Sequence, residues 1–199
     1  MTMRLLLRGP SPFGRKCAFS IKHLQLSDQI GIGVPESEDH IRNFNPLAKV
    51  PTLIVDDGEA LFDSRVILEY LDHITGGGKI IPIEAAARFK TLRLAALADG
   101  ILESALLITY EARYRPDQTP YEPWIDFQRG KIQRALSAMS DLLPATNPPM
   151  VDGIGLGCAL EYMDFRKQYD WRAEFPALVG WLDDFNVSNP IFASTRPSS

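Results

Sequence analysis

A proline at the head of an apolar run sets the strongest limit on how this chain folds. Pro51 precedes Thr52, Leu53, Ile54 and Val55. Proline has no amide proton to give to a strand ladder, so the run must start at Pro51 or lie at a sheet edge. The amide and carbonyl of Val50 then stay open to an extended peptide ligand. The next residues, Asp56-Asp57-Gly58, hold an Asp-Gly hairpin signal, and Glu59 to Phe62 supplies the returning strand. Asp63 and Ser64 open a helix, with apolar residues at 66, 67, 70, 71 and 74 on one side and Gly76-Gly77-Gly78 at its end. A helix that starts on Asp-Ser offers amides and a positive dipole end to an anion.

Upstream, Arg4 to Arg8 reads as a short buried strand, and Ser11-Pro12 as a helix cap with proline at the first helical position. Phe13, Cys17, Ile21 and Leu24 follow on one helical face. A second strand is expected near Gln29 to Val34, and a polar loop through Glu36 to Asn45. The order is β-α-β-(α)-β-β-α, which is similar to the thioredoxin-like module. Beyond the three glycines and Pro82 the strand signals stop. Helical periodicity runs from Ala85 to Tyr114, Glu122 to Leu143, Ile154 to Lys167 and Pro176 to Asn186. The expected fold is therefore an α/β thioredoxin-like domain over 1–77, a linker at 78–84 and an all-helical domain over 85–199.

The chain has 199 residues, and its net charge of −4 is spread among interspersed acids and bases. No basic stripe marks a nucleic-acid surface. No apolar run approaches the roughly 20 residues needed to cross a bilayer, and the stretch before Gly9 is too short for a signal peptide, so the expected location is cytoplasmic. Cys17 and Cys158 form no CxxC pair. Neither a disulfide framework nor a metal site is expected.

Asn45-Pro46-Leu47-Ala48-Lys49-Val50-Pro51-Thr52-Leu53, followed by Phe62-Asp63-Ser64-Arg65, resembles the glutathione site of the glutathione S-transferase superfamily, and the likeness extends from Arg4 to about Pro197. The resemblance implies a cis Val50-Pro51 bond whose Val50 backbone pairs with glutathione. It also implies an acid-serine pair, Asp63 and Ser64, that holds the γ-glutamyl end. Lys49 becomes a candidate for the glycine carboxylate, with His40 a more distant one. Ser11-Pro12-Phe13 stands where related folds carry a redox cysteine. A dithiol exchange mechanism is thereby excluded, and a hydroxyl is left at the positive end of a helix. The resemblance makes Ser11 the catalytic group that stabilises the glutathione thiolate; the plain alternative is a helix cap and nothing more.

Further expectations follow from the same likeness. An electrophilic second substrate would sit between the domains, with Phe13, Tyr110, Arg113 and Tyr114 as candidate wall residues, and the protein would be a homodimer with glutathione as co-substrate and no tightly bound cofactor. Arg15 and Lys16, in the first turns of the first helix, are either solvated charges or contacts to an anionic ligand. Met150 and Gly153 replace the usual Ser/Thr cap and Asp of the family's core helix, leaving Asp152 as a substitute cap. Two other functions fit the same scaffold: a noncatalytic binding or regulatory module, and a glutathione-dependent lyase or peroxidase.

Overall fold

A computed structural model describes residues 2–197. Strand β1 (Met3–Leu6) leads through helix α1 (Pro12–His23) to strand β2 (Ile30–Gly33), which pairs parallel to β1. A parallel neighbour needs a crossover, and α1 provides it. A five-residue helix, α2 (Glu38–Arg42), occupies the segment expected as a polar loop, with Ser37 Oγ accepting from the His40 amide at 3.0 Å. Strands β3 (Thr52–Ile54) and β4 (Ala60–Leu61) form the expected hairpin, and helix α3 (Ser64–Ile74) follows. The sheet order is β2-β1-β3-β4, with β3 antiparallel to both of its neighbours.

The core of this first unit is built from Leu5, Leu53, Phe19, Ile67 and Leu71, all fully buried. On α3 the buried apolar residues are Ile67, Leu68 and Leu71, whereas Val66, expected on that face, is 47% exposed. The buried stripe is therefore narrower and turned toward Leu68. At the end of α3, Gly76, Gly77 and Gly78 take φ of 94°, 76° and 75°, a run that side chains would resist. The buried Asp72 carboxylate gathers this turn by accepting from the amides of Gly78, Lys79 and Ile80 at 2.8–2.9 Å. Ile80 and Ile81 are buried as well, so the segment expected as a linker starts as an anchored turn.

The second unit, Glu84–Asn189, is helical: α4 (Ala85–Tyr114), α5 (Glu122–Asp141), α6 (Val151–Arg166), α7 (Trp171–Glu174) and α8 (Pro176–Ser188). The core helix α6 is buried along its whole first three turns. Its cap residue Met150 makes no side-chain bond, and Asp152 Oδ1 accepts from the Gly153 amide at 2.9 Å, as expected of a substitute cap. Burial raises the Asp152 pKa above its ordinary value, more than its backbone bonds and the charge of Lys90 lower it. Cys17 and Cys158 are both buried and neither is in a disulfide, and no group of metal-ligating residues occurs among the described residues. No described helix is long and apolar enough to cross a membrane.

The last helix, α9 (Pro190–Ala193), departs from the expected boundary. It belongs to the first unit, not to the helical one. Phe192 is fully buried against α1, edge-on to Phe19 at 5.3 Å, and the Arg15 guanidinium lies 4.1 Å from the Phe192 ring centre. Arg15 also donates to Thr195 Oγ1 at 3.1 Å and to the Phe192 carbonyl at 3.3 Å. Helix α1 thus buries two faces. The second holds Arg15, Lys16 and Phe19, while Phe13 and Leu24 of the expected apolar face are only partly covered.

Candidate functional site

Register brings three backbone junctions to one end of the sheet. Leu6 at the end of β1 pairs with Thr52 at the start of β3, and Leu53 pairs with Leu61 at the end of β4. The loop that leads to Ser11 leaves β1 at this end, Pro51 enters β3 there, and Asp63 follows β4 there. Ser11, Val50, Pro51, Asp63 and Ser64 are therefore gathered from three separate stretches of sequence.

At the first junction Ser11 is the N-cap of α1, its Oγ accepting from the Gly14 amide at 3.1 Å. The bond uses an oxygen lone pair. The hydroxyl proton has no acceptor among the described residues, so capping and donation to a ligand are compatible. Phe13, the second residue of the helix, is partly buried, with Lys16 Nζ 5.2 Å from its ring centre. Arg15, weighed above as an anion contact, is buried and committed to the segment around Phe192.

The second junction is shaped by Asn45, whose role the sequence reading missed. Asn45 is 1% exposed; its Nδ2 donates to the Lys49 carbonyl at 3.0 Å and to Thr52 Oγ1 at 3.2 Å, while its Oδ1 accepts from the Leu47 amide at 3.0 Å. Thr52 Oγ1 in turn donates to the Lys49 carbonyl at 2.9 Å. The clamp closes the loop across Ala48, which holds a left-handed φ of 52°, a costly conformation for a residue with a Cβ. An Asx turn over Asn45-Pro46-Leu47 is the one local signal that could have pointed to the clamp. The Val50-Pro51 bond is cis, as the resemblance implied. Neither the amide nor the carbonyl of Val50 has a partner among the described residues, and the exposed Lys49 ammonium likewise has none.

At the third junction Asp63 caps α3 through one carboxylate oxygen, Oδ1, which accepts from the Arg65 amide at 2.9 Å. Its other oxygen is unengaged among the described residues. Ser64 is 2% exposed, yet neither its hydroxyl nor its amide is bonded within the described residues. An almost buried polar side chain without a partner is costly unless something else binds it. His40 is held elsewhere, beside Arg4 Nη2 at 3.5 Å and accepting from the Glu36 amide at 3.3 Å.

These features coincide with a family assignment. The model described as "Glutathione S-transferase, N-terminal domain" matches residues 10–74, and the corresponding C-terminal domain model matches 122–184. The chain is 30% identical over 98% of its length, and 98% of the relative's, to the uncharacterized GST-like protein YibF of Escherichia coli K12. The chain belongs to the glutathione S-transferase superfamily. Among solved structures, a glutathione transferase family member from Pseudomonas fluorescens Pf-5 with bound glutathione is 33% identical, covers both chains completely and superposes with a TM-score of 0.91. A structure of a family member from the same organism, with bound S-(propanoic acid)-glutathione, is 34% identical over 99% of this chain and all of that one, with a TM-score of 0.86. As a superfamily member, this transferase-fold chain carries its remaining candidate residues on α4 of the helical unit. Tyr110 and Tyr114 meet edge to face at 5.1 Å, Tyr114 is 68% exposed, and the Arg113 guanidinium lies 5.8 Å from the Tyr110 ring centre.

Proposed function

We propose that this protein is a glutathione transferase that binds glutathione at the sheet end described above, favours its thiolate, and adds it to a small electrophile. The open backbone of Val50 takes the cysteinyl residue of glutathione as a strand would. Asp63 and the Ser64 amide and hydroxyl receive the γ-glutamyl ammonium and carboxylate. Lys49 pairs with the glycine carboxylate. Ser11 donates to the thiolate, assisted by the α1 dipole. The thiolate attacks the electrophilic carbon, a C–S bond forms, and the leaving group departs with the electron pair or the displaced π electrons take up a proton from solvent. Tyr110, Arg113 and Tyr114 contact the electrophile, and the enzyme works as a cytoplasmic homodimer.

The observation that carries this reading is the set of unengaged groups at one sheet end: the Val50 amide and carbonyl, the Ser64 hydroxyl and amide, the second Asp63 oxygen and the Ser11 hydroxyl proton. The bound glutathione in 33%-identical and 34%-identical relatives supports its assignment as a glutathione site. Calorimetry with glutathione, run beside a conjugation assay with a panel of electrophiles, tests it. Binding with turnover is expected. No binding would refute the site, and binding without turnover would refute the enzyme.

A further inference from the structure

The C-terminal ends of α4 and α6 each carry an arginine, and only that of α4, Arg113, enters the proposed reaction. The two helices run alongside each other in the same direction. A Cβ on Gly155 would stand 3.1 Å from that of Ala98, and farther along both helices the hydroxyls of Thr109 and Tyr162 meet at 3.2 Å. One turn beyond that contact, four residues on along each helix, stand Arg113 and Arg166. The Arg113 guanidinium lies against Tyr110, and that of Arg166 lies 5.5 Å from the Tyr162 ring centre and 4.8 Å from that of Phe165.

Neither guanidinium has an ion pair or hydrogen bond among the described residues, and Arg166 Nε is buried without an acceptor. Three neighbouring acids are already engaged. Glu111 pairs with Arg115 at 2.7 Å, Asp164 with Arg172 at 2.7 Å, and Glu161 accepts from Asn186 at 3.2 Å. A helix C-terminus favours a cation, which accounts for one arginine at each helix end. It does not account for two guanidiniums stacked on rings with no carboxylate supplied, because the planar fork is built for bidentate oxyanions.

We propose that Arg113 and Arg166 form an anion clamp, so that the electrophile this protein takes carries a carboxylate on a planar body, the ring lying against Tyr110 and Tyr114. The proposal rests on the reading of the α4 residues as contacts to the second substrate. Its probes are 4-chloro-3-nitrobenzoate and 4-chloro-3-nitrobenzamide, nearly matched in shape and differing by one charge. In both, the glutathione thiolate attacks the carbon bearing chlorine, the C–S bond forms, the C–Cl bond breaks and chloride leaves with the bonding pair.

After correction for uncatalysed rates, the full-length parent is expected to favour the benzoate by on the order of tenfold to a hundredfold in kcat/KM, the range of a charge-assisted bond. Arg166→Met and Arg113→Met should each move the ratio toward one, and Arg166→Lys should keep part of it. A parent ratio near one, or a ratio that survives the double methionine variant, overturns the clamp. Calorimetry with the unreactive pair 3-nitrobenzoate and 3-nitrobenzamide reads the clamp without turnover, and thermal melts confirm that the variants fold. Arginine-dependent binding of the nitrobenzoate in a protein that conjugates neither probe upholds the clamp and sinks the transferase reading. Conjugation of both probes at parity does the reverse.

Discussion

Replacing Ser11 separates the proposed chemistry from the scaffold, because its hydroxyl offers a lone pair and a proton that can be removed separately. The Oγ lone pair takes the Gly14 amide at 3.1 Å, and the hydroxyl proton is left for a ligand. Ser11→Ala removes both. Loss of the cap costs about 0.5–2 kcal/mol of stability. Loss of a hydrogen bond to a charged sulfur costs about 1.5–3 kcal/mol. At about 1.4 kcal/mol per pKa unit, the second loss raises the apparent pKa of bound glutathione by about one to two units. Ser11→Gly is the sharper variant, since glycine caps a helix within a few tenths of a kcal/mol of serine while supplying no donor. The assay is the ultraviolet thiolate absorbance of bound glutathione titrated against pH, with the pH dependence of conjugation alongside. Both variants should shift the curve upward, and only Ser11→Ala should lower the melting temperature appreciably. An unmoved titration in Ser11→Gly would show that Ser11 caps α1 and has no part in the chemistry.

Ser64→Ala should weaken glutathione binding by about 1–3 kcal/mol, read by calorimetry; Asp63→Ser, which keeps a cap on α3 while removing the carboxylate, should weaken it without destabilising the helix, and parent-like affinity in both would refute the γ-glutamyl assignment. Burial holds the Asp152 carboxyl above its ordinary pKa of 3.8, so the folded chain binds that proton more tightly than the unfolded one. Its contribution to stability is therefore greatest below the ordinary value and is lost as pH rises through the raised one. Relative to Asp152→Asn, the parent should lose stability across that window in urea titrations, and parallel curves would contradict this. Phe192→Ala empties a fully buried site at a cost of about 3–5 kcal/mol. In hydrogen exchange the amides of α1 should lose protection while those of α4 keep theirs; an equal loss in both would place α9 in the wrong unit.

Local signals carried most of the fold. Pro51, the Asp57-Gly58 turn, the Ser11-Pro12 cap and the three glycines each act within a few residues, and the corresponding elements stand where those signals put them. Long-range partners were not legible. Arg15 looked like a solvated or ligand-facing charge because its acceptors, Thr195 and the Phe192 carbonyl, lie 180 and 177 residues away. Val66 was placed inside because apolar spacing marks a stripe only roughly, and the buried one is narrower and turned toward Leu68. For the candidate site, the motif supplied residue types and Pro51 the open Val50 backbone, whereas the bonds from Asn45 to the Lys49 carbonyl and to Thr52 emerge only from three-dimensional pairing. Arg166 gave no signal at all, since an arginine at a helix end is what the dipole alone would select.

The α/β unit is assembled from both sides of the helical one: Glu84–Asn189 is an insertion between residues that pack on each other. A ribosome adding roughly 5–20 residues per second therefore needs about 5–20 s to traverse the insertion after Ile83 has been made. During that interval α1 has emerged with its Arg15 and Phe19 surface uncovered, because Phe192 has not yet been synthesised. The helical unit can finish first, although it is encoded second. Nascent chains stalled before Pro190 should consequently expose a sticky aromatic face to chaperones, and the bond network around Phe192 acts as the closing clasp of translation.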